Sequence, residues 1–409
     1  MQESRRGFLG KTAGSAALVA LGGLETARGY AANDTLQVGC IGTGGRCRRL
    51  MERLKMIPNV RITAVADVWD EHLQKGKDLA HDSAFATKHF PELLNRKDVD
   101  AVVIGSPDHW HVPMTIAACE AGKDVYVEKP LTHDLSEGEK ILKAERDSKS
   151  IVQVGMQQRS MPHIQKAYEI VKSGGIGDIY KVHLTWNRNT SRWGRPDLKI
   201  DPSTVLWDQF LGNAPKQKFD PYRFRNWRWF WDFGGGIFTD LMVHWVDVAY
   251  WFLDLTEPSV ATAIGDHFKA KDLWETPDSV QCLLQYPDQH AQVYFEGTFV
   301  NARNRAMIEF MGSEGTVYID RGRYEVHPDP HKKLSPSQLV IGKGPKGADF
   351  FEEVDGALYH LQNWVECVRT RKTPRAPVKA GIQAAAAAHY ANQAYRTGRA
   401  IQPGQEVKS

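Results

Sequence analysis

LQVGCIGTGGRC, residues 36–47, is the stretch that decides the fold. Its first half, residues 36–41, is a short apolar run of the kind that forms a buried parallel strand. The glycines follow at once, and the residues after Gly45 have the pattern of a helix. In such a turn the first glycine permits the tight bend, and the second lets backbone N–H groups approach an anion at the helix N-terminus. The stretch therefore predicts a strand, an anion-binding turn and a helix in succession.

The alternation of strand and helix continues to about residue 155. We expect further strands at residues 59–66, 99–105, 123–127 and 151–154, and helices at residues 46–56, 69–80, 112–121 and 136–148. Alternation of this kind predicts a doubly wound parallel sheet with helices on both faces. We assign residues 35–155 to an α/β domain of this Rossmann type.

The pattern changes beyond Pro162. After a helix at residues 164–173, strands are expected at residues 179–186, 278–286, 292–298, 306–311 and 315–319. Consecutive strands joined by turns rich in Gly, Asp and Pro predict an α+β domain over residues 156–380, with a large, mostly antiparallel open sheet. Residues 188–236 are expected to form a long structured loop, a feature that is usually functional. A C-terminal helix and tail would occupy residues 381–409.

Composition excludes several classes of protein. The 409 residues, 42% hydrophobic and 25% charged, fit two or three globular domains rather than a disordered or fibrous chain. The net charge of +3 falls to +1 without residues 1–31, which carry four basic and two acidic side chains. Such a balance argues against nucleic acid as a partner. The five cysteines are scattered, without a C-x-x-C pair, and we expect buried thiols rather than disulfides or a zinc site.

The N-terminus resembles a leader. Arg5 and Arg6 precede a weakly apolar stretch at residues 12–24 and small residues near Ala31. The apolar stretch is shorter than the ~20 residues that span a bilayer, so residues 1–31 predict a removable twin-arginine signal rather than a membrane anchor. We expect export to the periplasm. The twin-arginine pathway carries folded proteins, and a nucleotide lost there would not be replaced, so any nucleotide should be bound tightly.

Asp67 ends the second expected strand, about 20 residues beyond the glycine turn. A carboxylate at this place accepts hydrogen bonds from the ribose hydroxyls of NAD and repels the 2′-phosphate of NADP. The turn and Asp67 together predict a dinucleotide site with NAD preferred over NADP. Cys47 stands at the third glycine position and allows slightly less close packing of helix and strand.

Three residues have the chemistry of proton and hydride transfer. Lys129 follows a parallel strand, where open α/β sheets bind ligands, and an ammonium there would stabilise a developing alkoxide. Asp240 and His244 are four residues apart in a segment with helical character, so they share one helix face. The carboxylate would orient the imidazole, making His244 a general base. The spacing alone fits a buried structural Asp–His pair equally well.

Five further motifs carry a resemblance. They are GSPDHWH at residues 105–111, EKP at 128–130, GMQQR at 155–159, GGIG at 174–177 and GGGIFTDLMVH at 234–244. With the glycine turn, they resemble the Gfo/Idh/MocA family of oxidoreductases (glucose–fructose oxidoreductase, inositol dehydrogenase and relatives). The resemblance extends over essentially the whole chain after the leader. It implies that Lys129, Asp240 and His244 are catalytic, and that the protein forms dimers or tetramers.

The motifs and the chemistry of their side chains suggest which residues contact ligands, and the resemblance places His111 beside the cofactor. The expected cofactor-binding residues are Gly42, Thr43, Gly44, Gly45, Arg46, Asp67, Ser106, Pro107, His111, Glu128, Lys129 and Gln157. The expected substrate-binding residues are Arg159, Asn187, Trp193 and Trp229, since sugars stack on aromatic rings and bond to Arg and Asn. No metal site is expected, because Trp110 separates His109 from His111 and no further acid converges on them.

The combined interpretation is an exported, NAD(P)-dependent oxidoreductase that oxidises a secondary hydroxyl of a sugar, cyclitol or glycoside. Because export isolates the nucleotide, we expect a closed redox cycle in which a second sugar reoxidises it. Two alternatives remain at this stage. Some relatives are NAD-dependent glycosidases that oxidise a glycoside transiently and eliminate the aglycone, although the retained Glu-Lys-Pro motif favours a dehydrogenase. The other alternative is a non-catalytic sugar- or nucleotide-binding protein.

Overall fold

A computed structural model describes residues 35–190, 193–332, 339–341, 346 and 355–404. Within them the chain forms two sheets. The strands of the first are β1 (Leu36–Ile41), β2 (Val60–Ala66), β3 (Phe85–Thr87), β4 (Ala101–Ile104), β5 (Asp124–Val127) and β6 (Val152–Val154). The helices that accompany this sheet are α1 (Gly45–Leu54), α2 (Asp70–Lys77), α3 (Phe90–Leu94), α4 (His111–Glu120) and α5 (Glu137–Ser148). The expected leader, residues 1–31, lies outside the described residues.

The first sheet is doubly wound. Its strand order is β3-β2-β1-β4-β5-β6, and every neighbouring pair is parallel. The predicted α/β fold is therefore confirmed, with β3 the one strand of this sheet that the sequence pattern missed. The order reverses between β1 and β4, and in open parallel sheets this reversal opens a crevice at the carboxyl ends of the strands.

The second sheet is large and mostly antiparallel, as predicted. Its strands are β7 (Ile179–Asn187), β8 (Val260–Asp266), β9 (Ser279–Tyr286), β10 (Ala291–Thr298), β11 (Ala306–Gly312), β12 (Gly315–Ile319), β13 (Tyr324–Pro328) and β14 (Leu339–Ile341). They are ordered β14-β13-β12-β11-β7-β10-β9-β8, with β7 and β10 the parallel pair. One face packs on helices, and alternate residues of β9 on the other face are exposed.

Six further helices complete the description. They are α6 (Pro162–Lys172), α7 (Trp207–Leu211), α8 (Pro221–Arg225), α9 (Val243–Leu253), α10 (Gly356–Thr370) and α11 (Val378–Thr397). A π-helical turn, Phe238–Met242, precedes α9. Helix α10 packs on the first sheet, where Trp364 meets Tyr126 edge-on at 5.9 Å. The predicted range 156–380 thus contains a helix that the structure places against the N-terminal sheet.

All five cysteines, Cys40, Cys47, Cys119, Cys282 and Cys367, are buried and reduced, as the sequence predicts. Cys40 and Cys47 lie in the core beneath the glycine turn, together with the apolar residues of β1 and α1. Among the described helices, none combines the length and apolar character that crossing a bilayer requires.

Candidate active site

The glycine turn is shaped for close contact with a ligand. Gly42 has φ of +74°, and a Cβ there would lie 2.7 Å from the backbone nitrogen of Ser106, so the position requires glycine. Gly44 begins α1 without a side-chain cap, and a Cβ on Gly45 would meet nothing within 4 Å. The first N–H groups of α1 are therefore accessible to a ligand anion.

A cavity of about 560 Å³ extends from this turn along the carboxyl ends of the first sheet. Seven of the expected cofactor-binding residues line it: Gly42, Gly44, Gly45, Arg46, Asp67, Ser106 and Pro107. The Asp67 carboxylate and the uncapped start of α1 both border this cavity, and these are the two features that a dinucleotide site requires.

Asp67 is held in place at the end of β2. Its Oδ1 accepts the Trp69 N–H at 2.9 Å, and its Oδ2 lies 3.6 Å from Nδ1 of His72. Thr43, also expected near the cofactor, is fully buried and donates to the His72 carbonyl oxygen at 2.8 Å. Thr43 thus supports the turn from behind, while Asp67 lines the cavity.

The opposite wall of the large cavity comes from residues 204–228, which we call the strap. Lys88 donates to the Thr204 carbonyl oxygen at 2.9 Å, and Trp110 Nε1 donates to that of Phe210 at 2.8 Å. At the far end, Arg225 Nη1 lies 3.1 Å from Nε2 of His72. The expected long loop therefore crosses the crevice and is bonded to the first domain on both sides of it.

A second cavity of about 180 Å³ adjoins the first. Both are lined by Arg46, Gly105, Ser106, Trp227 and Arg228. The smaller one is also lined by Lys129, Asp240 and His244, the three residues expected to be catalytic. The fold thus brings an ammonium, a carboxylate and an imidazole together in a small cavity that adjoins the larger one, where β4 and β5 end.

Lys129 and Asp240 form an ion pair across the domain boundary. Lys129 Nζ donates to Oδ1 of Asp240 at 2.8 Å and to its carbonyl oxygen at 2.6 Å. The same Oδ1 accepts from Arg228 Nε at 3.2 Å. Burial alone would raise the pKa of Asp240, but Lys129 and Arg228 hold it at about 2. Asp240 is therefore ionised and fixes the position of the Lys129 ammonium.

His244 lies in the first turn of α9 and is 3% exposed. Its ring stacks on Trp186 with 5.1 Å between ring centroids. Burial, reinforced by Lys129 and Arg321, holds the pKa of His244 well below its usual value. The ring is consequently neutral and able to accept a proton. Orientation of this ring by Asp240 stays a prediction, because the described bonds of the carboxylate run to Lys129 and Arg228.

The remaining cofactor-site residues form a supporting layer. Arg46 donates through Nε to Glu128 and through Nη2 to Gln157, both at 2.8 Å. His111 is buried, with Nδ1 at 2.6 Å from the Pro130 carbonyl oxygen and Nε2 at 3.0 Å from that of Ser106. Burial lowers the pKa of His111 to about 4, so the ring is neutral, donates to one of these two carbonyl oxygens and only contacts the other.

The four expected substrate-binding residues lie elsewhere. Arg159 forms a bidentate pair with Asp247, at 2.7–3.0 Å, and Asn187 bonds to Glu296 and to the Arg303 carbonyl oxygen. Trp229 stacks on Trp274 at 4.6 Å, and Trp193 packs on the same ring. None of the four lines either cavity. Arg159, Trp193 and Trp229 have these partners within the protein, and the substrate role of the four residues stays a prediction.

The residues that the sequence analysis did not assign are Asp108, Arg188, Trp227 and Arg228, all of which line the smaller cavity. Asp108 belongs to the quoted motif at residues 105–111, and burial raises its pKa well above the usual range. Trp227 and Arg228 belong to the Trp- and Arg-rich loop, whose composition alone could not show which members face a ligand. Within the described residues, no group of three or more His, Cys, Asp and Glu side chains could hold a metal ion.

Comparison with known proteins gives matches over both domains. Residues 36–156 match the oxidoreductase family with an NAD-binding Rossmann fold (GFO_IDH_MocA), and residues 164–318 match the GFO/IDH/MocA C-terminal domain. The chain is 26% identical to myo-inositol 2-dehydrogenase of Thermotoga maritima over 294 residues, 70% of this chain and 76% of that protein. It is 32% identical to the uncharacterized oxidoreductase YrbE of Bacillus subtilis over 147 residues, which are 36% of this chain and 43% of YrbE.

Among solved structures, levoglucosan dehydrogenase in complex with NADH and L-sorbose matches with a TM-score of 0.71 and 18% identity, over 91% of this chain and all of that one. At this level of identity the likeness shows the fold alone. The two family matches follow one another in the chain and together cover more than half of it. The chain therefore belongs to the Gfo/Idh/MocA family of oxidoreductases with an NAD-binding Rossmann fold.

Proposed function

We propose that the protein is an NAD-dependent oxidoreductase acting on a secondary hydroxyl of a sugar, cyclitol or glycoside. The observation that carries this proposal is the meeting of Lys129, Asp240 and His244 in a small cavity that adjoins a dinucleotide-sized one. The names of the relatives agree with the substrate class, since one is a myo-inositol 2-dehydrogenase and another a levoglucosan dehydrogenase.

Each catalytic side chain has a defined task. When bound, NAD supplies the hydride acceptor. The neutral ring of His244 accepts the hydroxyl proton, and the Lys129 ammonium stabilises the negative charge that develops on the oxygen. The carbinol carbon loses its hydrogen as hydride, so that alcohol and NAD⁺ give ketone, NADH and one proton. Asp240 keeps the ammonium in place.

The preference for NAD over NADP follows from Asp67. Its carboxylate lies at the cavity wall, where ribose hydroxyls would donate to it and a 2′-phosphate would be repelled. The neighbouring His72 is in turn bonded to Arg225 of the strap.

The strap supports tight retention of the nucleotide. Its bonds to Lys88, Trp110 and His72 close the crevice from above, so release requires several contacts to break together. Retention suits an enzyme that leaves the cytoplasm folded, and we propose that a second sugar reoxidises the bound nucleotide. We also propose export, which the Arg5-Arg6 pair and the weakly apolar stretch at residues 12–24 support. A double substitution, Arg5→Lys with Arg6→Lys, is expected to leave the protein in the cytoplasm on cell fractionation.

Mass spectrometry of the denatured, purified protein tests the proposal, together with the near-ultraviolet absorbance of reduced nicotinamide. We expect NAD to be released on denaturation, and absorbance to rise when the native protein receives an oxidisable sugar or polyol. Absence of nucleotide would contradict tight retention. Failure of any sugar or polyol to reduce NAD, bound or added, would contradict the proposed activity.

A further inference from the structure

The smaller cavity has a surplus of positive charge. Four cationic side chains line it, Arg46, Lys129, Arg188 and Arg228, against three carboxyl groups, Asp108, Glu128 and Asp240. Both histidines of the cavity, His111 and His244, are neutral because burial lowers their pKa. A reacting centre for an uncharged polyol needs only the ammonium and the base, so a further guanidinium at the cavity wall, that of Arg228, requires another explanation.

The ion pairs show where the surplus lies. Arg46 is paired with Glu128 at 2.8 Å, and Lys129 with Asp240 at 2.8 Å. Arg228 has no carboxylate of its own among the described residues. Its Nε donates to the same oxygen of Asp240 that already accepts from Lys129. One carboxylate therefore serves two cations.

The guanidinium of Arg228 is positioned to bind a further anion. Its carbon lies 4.1 Å from the centre of the Trp227 ring, which fixes the plane of the group. The side chain is 38% exposed, and no described residue forms a hydrogen bond with its two terminal nitrogens. A planar guanidinium with two accessible N–H groups matches a carboxylate in a bidentate arrangement.

We infer that Arg228 binds the carboxylate of an acidic sugar, so that the substrate is a sugar acid such as a uronate or an aldonate. This inference rests on the proposed function. Arg228 Nε and Lys129 Nζ contact the same oxygen of Asp240. The guanidinium therefore lies close to the ammonium that would contact the reacting hydroxyl. A carboxylate a few carbons from the oxidised carbon would reach it.

The diphosphate of the cofactor is the competing ligand, since Arg228 also lines the larger cavity. We assign Arg228 to the substrate, because the glycine turn already offers the diphosphate a binding site of its own. The uncapped N–H groups at the start of α1 already provide an anion site for the diphosphate, whereas Arg228 is bonded to the catalytic carboxylate.

Matched pairs of sugars test the inference on the nucleotide-loaded protein. D-glucuronate is compared with D-glucose, D-galacturonate with D-galactose, and D-gluconate with D-glucitol, because each pair differs in one carboxylate. Dissociation constants are measured by calorimetry, and reduction of NAD is followed separately. We expect at least one acid to bind about tenfold or more tightly than its neutral partner, the usual effect of a charge-assisted hydrogen bond.

The variants assign the effect to a residue. Arg228→Gln should bring the ratio of the dissociation constants of the neutral sugar and its acid close to one. Arg228→Lys should retain part of this preference because the charge remains. The nucleotide content of both should match the wild type. Arg146→Gln, on the exposed surface of α5, is the control and should keep the full ratio.

Three results would overturn the inference. The first is equal binding of all acids and their neutral partners, or no binding of any acid. The second is loss of nucleotide from Arg228→Gln, which would assign this residue to the diphosphate. The third is reduction of NAD by the neutral sugars alone, which would leave the proposed function intact. Reduction by no sugar, with the binding ratio preserved, would instead contradict the proposed function.

Discussion

At the scale of single residues, the charge state of the site depends on Asp240. This carboxylate is held ionised by two cations, and it positions the ammonium that faces the smaller cavity. Arg228 is 12 positions from Asp240 in the chain, but Lys129 is 111 positions away and belongs to the first domain. The catalytic arrangement therefore exists only when the two domains are packed together.

Lys129→Ala removes the group that stabilises the developing alkoxide. We expect kcat to fall by about 10²- to 10³-fold, the usual cost of losing one such donor. Nucleotide content should stay near that of the wild type, since the glycine turn and the strap remain. Single-turnover reduction of bound NAD measures the rate of the chemical step, and mass spectrometry measures the nucleotide content. Lys140→Ala, on the exposed face of α5, is the control, and an unchanged kcat in Lys129→Ala would contradict the assignment.

The lowered pKa of His244 predicts a particular pH profile. Protonation disables a general base, so kcat/KM falls as the pH drops through the pKa of the ring. Because burial and Lys129 place that pKa below the usual histidine value, the acidic limb should lie below about pH 6.5. Activity should thus be constant where an ordinary histidine titrates. His244→Asn should lose most of the activity, and the acidic limb of its pH profile should disappear. A limb centred above the ordinary pKa of histidine would exclude His244 as the base.

At the scale of elements, the strap and the glycine turn form opposite walls of one cavity. The turn is local, since its shape follows from glycine conformations within residues 42–45. The strap depends on distant contacts, such as the bond from Lys88 to Thr204, 116 residues further along the chain. This difference explains why the sequence pattern predicted the first wall and only a long loop for the second.

The strap contacts predict the rate of nucleotide release. A triple variant, Lys88→Ala with Gln209→Ala and Arg225→Ala, removes three side-chain bonds that tie the strap to the first domain. At the usual contribution of each bond, release should accelerate by about tenfold to hundredfold. Retained nucleotide after timed dialysis measures the effect. A double variant of exposed residues, Lys140→Ala with Arg146→Ala, should release nucleotide like the wild type, and equal release from the strap variant would refute a retaining role.

At the scale of the whole molecule, the open face of the second sheet is the feature that invites assembly. Ile264 and Leu283, on β8 and β9, are 68% and 58% exposed, and a cavity of about 370 Å³ lies between them and Tyr294. Exposed apolar residues on a broad sheet face are typical of an interface. We propose that this face pairs with a second copy of the chain, as the family resemblance implies.

Ile264→Glu combined with Leu283→Glu would introduce charge on that face without disturbing the core, since both side chains point outward. We expect the mass in solution, measured by light scattering, to fall from that of an oligomer to that of one chain. Met56→Glu, at an exposed apolar residue of the first domain, is the control and should leave the mass unchanged. A wild type that is already monomeric would contradict the proposed interface.

The sequence by itself determined the local features of this protein. The strand β1, the glycine turn after it and the helix α1 follow from apolar runs and glycine positions that act within about ten residues. The alternation of strands and helices predicted the first sheet, and the motif residues Lys129, Asp240 and His244 do meet in one cavity.

Only the tertiary structure decided which polar side chains face that cavity. Arg159 has the chemistry to bind a sugar, yet it is paired with Asp247. Arg228, also an arginine, lines the smaller cavity instead. Likewise, α10 follows the second domain in the chain and packs on the first sheet. The physical reason is that a local pattern shows which side of an element is buried, but the partner of a charged or aromatic side chain depends on segments about a hundred residues away.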